Sequence, residues 1–109
     1  MNPEKIYQTL IETGNAMAQA RYEWEMLDGQ TKPILAQITI EAKRLEECSM
    51  AEASQIALTA NTYRDHLKAV AKARLEFGLA ESAYKASDAL WRARQTQEAS
   101  ERAALGAQR

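Results

Sequence analysis

Residues 63–91 read YRDHLKAVAKARLEFGLAESAYKASDALW, and within them Tyr63, Val70, Phe77, Tyr84 and Trp91 recur every seven positions. Three residues after the first four of these stand His66, Ala73, Ala80 and Ser87, which are mostly small. Large apolar residues repeated every seven with small ones between them make a seam along one helix face, against which another helix can pack closely. From residue 62 to about 103 only Gly78 interrupts this Ala-rich pattern, and one glycine costs about 1 kcal/mol relative to alanine. About 40 helical residues make a rod of roughly 60 Å, whereas a compact domain of about 100 residues has a radius of gyration near 13 Å. Such a rod must bend or pack on other copies. A second apolar set, Leu75, Leu79, Ala86 and Leu90, points elsewhere, because residues 77 and 79 lie about 200° apart around the axis. Two apolar faces call for two sets of neighbours, the chain's own shorter helices and another subunit. The expected architecture is all-α, a helical hairpin or small bundle with a long C-terminal helix, assembled as a homo-oligomer.

Towards the N-terminus, Asn2 is a good N-cap, Pro3 suits the first helical position and Glu4 favours the positive end of the dipole. Ile6, Leu10, Thr13, Met17, Ala20, Trp24 and Leu27 then alternate in steps of four and three, a heptad seam that is weak only at Thr13. Asp28-Gly29 is read as the stop, with Gly29 in the left-handed conformation. Pro33 opens the second helix, over about 33–48, with Leu35, Ile38, Ala42 and Leu45 on one stripe and Ile34 and Ile40 off it. Ser49 followed by Glu52 forms a capping-box pattern that starts a helix over about 50–60. A soft break near Asn61 separates it from the last helix, whose fringe after Arg102 is expected to fray. The first helix covers about 3–27, and all four belong to one domain over 1–109.

The chain carries 14 Lys+Arg against 15 Asp+Glu, one cysteine (Cys48) and one histidine (His66). The single cysteine excludes an internal disulfide framework and a Cys-cluster zinc site, and it suits a reducing cytoplasm. No apolar run is long enough to span a membrane, and the N-terminus lacks a basic-then-apolar secretion pattern. Net charge divides unevenly, −4 over residues 1–54 and +3 over residues 55–109, so an acidic and a basic half could attract each other between copies.

Catalytic signals are nearly absent. Asp65 cannot face its neighbour His66 on a helix, the four glycines are isolated, and the acidic pairs lack the Glu-x-x-His partner of a helical di-iron site. We expect no enzymatic activity, no metal and no cofactor, with His66 at the core edge or surface and Cys48 an inert thiol. The basic residues say more. Arg64, Lys68 and Lys72 stand four apart and share one helix face, while Arg74 points about 160° or more away from Lys72. Arg92 and Arg94 follow Trp91 directly and form a reserve pair. Cations along a continuous ridge suit phosphate contacts, whereas Phe77 and Trp91 suit a core better than base stacking.

Ala71-Lys72-Ala73-Arg74-Leu75-Glu76-Phe77 resembles the Leu-Lys-Ala-Arg-Leu-Asp-Tyr stretch of the UvsY-type phage recombination mediators. Residues 84–94, with Gln97-Glu98-Ala99 after them, are similar to the tail of a family of small helical phage proteins. The mediators are small ring-forming helical proteins that hold single-stranded DNA and help load a RecA-like recombinase. The resemblance covers at most residues 62–100 and carries DNA contact onto Lys72 and Arg74, with Glu76 and Phe77 as conservative replacements. It implies a cytoplasmic, phage-encoded, single-strand-binding mediator. The alternative is a helical adaptor, assembly factor or inhibitor that binds a host or phage protein through its second apolar face.

Overall fold

The computed structural model describes residues 2–107, and every regular element among them is an α-helix. These are α1 (Pro3–Gly29), α2 (Thr31–Glu46), α3 (Met50–Thr59) and α4 (Asn61–Ala107). The 47 residues of α4 amount to about 70 Å of helix at 1.5 Å per residue. No helix among the described residues is long and apolar enough to cross a membrane.

Local chemistry explains most boundaries. Asn2 Oδ1 accepts a hydrogen bond from the Glu4 amide at 2.9 Å and starts α1. The stop expected at Gly29 is different in kind, since no glycine among the described residues has a positive φ. The chain stays right-handed through Gln30 (φ −85°, ψ −8°), and α2 begins at Thr31, two residues before Pro33. Pro33 has no amide hydrogen and its ring crowds the carbonyl of Gly29, so the proline breaks the helical ladder and the glycine does not. The left-handed residue lies further on, at Glu47 (φ 48°), which ends α2 at Glu46 instead of 48. Ser49 Oγ then accepts from the Glu52 amide at 3.2 Å and opens α3. The break before α4 is a full interruption, with Ala60 extended (ψ 139°) and Asn61 already helical. At the far end α4 stays helical to Ala107, past the fringe expected to fray, because Gly106 alone is too weak a stop. The last two residues of that fringe lie outside the described residues.

The chain forms two compact units, one of residues up to Gln19 with those from Gly78 onward, the other Ala20–Phe77. In the first, α1 and α4 run antiparallel. Tyr7 meets Trp91 with ring centroids 5.4 Å apart, and Gly14 sits under Tyr84, where an added Cβ would lie 3.4 Å from Cε2. Ile6 is 4% exposed there.

In the second unit the end of α1 and the start of α2 run antiparallel to the start of α4, and α3 packs on α2. Trp24 stacks on Phe77 at 5.7 Å, and Thr31 Oγ1 and His66 Nε2 share a 2.9 Å hydrogen bond. Ala53 and Ala57 are fully buried and Ala42 nearly so. Side chains this short let α2 and α3 approach closely. The buried face of α1 continues into α2 without a change of phase, from Leu27 through Thr31, Ile34 and Ile38 to Ala42. That path corrects the stripe expected on α2: Ile34 is half-buried, whereas Leu45 is 71% exposed. Leu45 falls in the last turn before the left-handed residue, where the chain is already leaving the seam.

Candidate nucleic-acid interface

On α4 the heptad column is the packed face. Phe77 is buried, Tyr63, Val70, Tyr84 and Trp91 are half-buried, and the small partners His66 and Ala73 are buried between them. The opposite azimuth is left to solvent. Arg64, Lys68 and Lys72 fall there, all exposed, and each step of four turns the side chain only about 40° while rising about 6 Å. Among the described residues none of these three is within ion-pair distance of a carboxylate. They form a short cationic ridge, flanked at one-turn spacing by the exposed Asp65 and Glu76.

The other three basic candidates are placed differently. Arg74 lies over the aromatic pair of the second unit, its guanidinium carbon 4.9 Å from the Trp24 ring centroid and 5.1 Å from that of Phe77. A guanidinium held on ring faces gains cation–π attraction, and its position separates it from the ridge. Arg92 Nε pairs with Asp88 Oδ2 at 3.0 Å on an exposed face. Arg94 continues the seam beside Ile6, with its side chain 32% exposed and Nε 3.2 Å from Glu98 Oε1. That approach is an ion pair off the angle of a hydrogen bond, so Nε stays buried without a hydrogen-bond acceptor. The geometry thus brings together Arg64, Lys68 and Lys72 and engages Arg74, Arg92 and Arg94 elsewhere.

Leu75 and Leu79, each 63% exposed, share the ridge face, since Leu75 projects between the azimuths of Arg64 and Lys68. Leu90 on the same helix is 46% exposed. The sequence pattern names this second face; the mixing of leucines with cations on it emerges only when the azimuths are laid on one helix.

His66 is buried and bonded to Thr31, and Cys48 is half-buried with Sγ 4.0 Å from the Ala42 carbonyl. Thr31 is the residue that pattern reading misses. A helix opened by Pro33 leaves Thr31 outside it, yet Thr31 supplies the polar partner of the one buried polar side chain among the described residues. Compared with known proteins, the chain matches no family model, no curated protein and no solved structure.

Proposed function

We propose that this protein is a non-enzymatic, self-associating helical protein that binds single-stranded DNA along the Arg64–Lys68–Lys72 ridge and acts as a recombination mediator for a RecA-like recombinase. The observation that carries this reading is the ridge itself, three exposed cations without carboxylate partners on one face of a long helix. Each copy offers too little charge for tight binding alone. Association of copies multiplies the ridge along one strand, which converts weak binding into avidity. The stretch around Lys72 that resembles the mediators supplies the recombination context.

The test is a titration of a labelled oligonucleotide at several salt concentrations. Replacing Arg64, Lys68 and Lys72 with alanine should flatten the log–log salt dependence by about 0.7 for each phosphate that is no longer neutralised. The weakening should be the same for every base sequence, because phosphate binding carries no base information. Arg74→Ala and Arg94→Ala should change the slope less, since those side chains are engaged on Trp24 and Glu98. Absence of salt-sensitive binding by the wild-type chain at low salt rejects the DNA reading.

A second reading is favoured by Leu75 and Leu79, whose exposure beside the ridge suits an amphipathic acidic partner helix. In that reading the protein is an adaptor for a host or phage protein, and Leu75→Ala affects partner binding while leaving oligonucleotide binding unchanged.

A further inference from the structure

Along the solvent side of α1 and α2, Tyr22, Met26, Pro33, Ala36 and Ile40 are all exposed, Ile40 by 64% and Tyr22 by 59%. They form one stripe because the buried seam opposite them keeps its phase from Leu27 to Ala42. At 100° per residue the five side chains fall within about 80° of one another. Shallow grooves flank the Ala36–Ile40 row on both sides, one towards Gln37 and Glu41 and the other towards Leu35 and Met50. A row of residues four apart with a groove on each side is the relief into which a second helix packs.

Charge along the same arm is polarised. Residues 21–28 hold Arg21 against Glu23, Glu25 and Asp28, a net of −2, whereas residues 32–44 hold Lys32, Lys43 and Arg44 against Glu41, a net of +2. We propose that this stripe is a self-association surface on which two copies lay their α1–α2 arms antiparallel about a two-fold axis near Pro33. Met26 of each copy then packs beside Ile40 of the other, and each acidic stretch faces the other's basic stretch. A parallel arrangement sets like charges side by side and is disfavoured. The same patch serves both copies, so the interface closes on itself as a dimer. The cationic ridge is on α4 and takes no part in it. The proposal rests on the self-association part of the function above and not on its DNA part.

Sedimentation velocity of the full chain tests it. At tens of micromolar the wild-type protein should sediment at about twice the 12.2 kDa of one chain, or at an even multiple of it. Lys43→Glu/Arg44→Glu and Glu23→Lys/Glu25→Lys should each weaken association by about tenfold or more. An equimolar mixture of the two variants should recover the wild-type mass, because every charge pair across the two-fold is then restored. Helical circular dichroism of each variant alone checks that it is folded, the substituted positions being exposed. A wild-type mass of one chain at several hundred micromolar overturns the proposal, as do variants that associate normally or a mixture that fails to recover. Oligonucleotide titration of the weakened variants separates the two claims: salt-sensitive binding by a one-chain species leaves the DNA reading standing whatever happens to the dimer.

Discussion

Phe77 and Trp91 occupy the same heptad position two repeats apart, yet Phe77 is 8% exposed and Trp91 only half-buried. Trp24 stacks on Phe77 and Arg74 lies over both rings, whereas Trp91 meets Tyr7, which is itself 51% exposed. Phe77→Ala should therefore cost about 3–5 kcal/mol, and Trp91→Ala distinctly less, read from denaturant midpoints at constant slope. Equal losses at the two positions would contradict this account. The Thr31–His66 pair has a different energetic signature. Thr31→Val leaves a buried ring nitrogen without its partner, at a cost of about 1–3 kcal/mol, whereas changing both residues to apolar ones removes the unsatisfied group. A double-mutant cycle with Thr31→Val and His66→Leu should accordingly show strong non-additivity. Periodicity places His66 on the seam, but it cannot name a partner 35 residues away.

At the level of elements, the contrast between Gly29 and Pro33 is the most instructive. A glycine after Asp28 has the pattern of a left-handed helix stop, yet the backbone there is right-handed and an added Cβ would meet nothing within 4 Å. Gly29→Ala should consequently stabilise the protein by about 0.5–1 kcal/mol, as expected for alanine replacing glycine within a helix. A left-handed Gly29 would give the opposite sign in thermal unfolding. The caps formed by Asn2 and Ser49 are legible in the sequence, because a short polar side chain two or three residues before a free amide is a local device that needs no tertiary support. The positive φ at Glu47 is not. No local preference of glutamate calls for it; packing of α3 back on α2 sets the turn.

Across the whole molecule, few large side chains are fully withdrawn from water. Ile6 and Phe77 are the buried large hydrophobics among the described residues, accompanied by four alanines, while Leu75, Leu79 and Ile40 are each more than 60% exposed. A fold with so modest a core gains from covering exposed apolar surface with further copies, and binding that is specific to the native state raises stability by mass action. The melting temperature should thus rise with protein concentration over a hundredfold range. A concentration-independent melt would place the chain's stability wholly within one copy.

The heptad column of α4, the matching seam of α1 and the second apolar face are properties of spacing alone, and the sequence by itself determines them because helical geometry converts residue number into azimuth. The ridge of Arg64, Lys68 and Lys72 belongs to the same class. Tertiary structure decides what spacing cannot encode, namely which side chains from distant parts of the chain share a neighbourhood. It sets Arg74 over Trp24, draws Arg94 onto the seam beside Ile6 and joins Thr31 to His66. The physical reason is that azimuth is fixed by bonds within one helix, whereas the fate of a long cationic or polar side chain depends on the rings, carboxylates and hydroxyls that another helix brings within its reach.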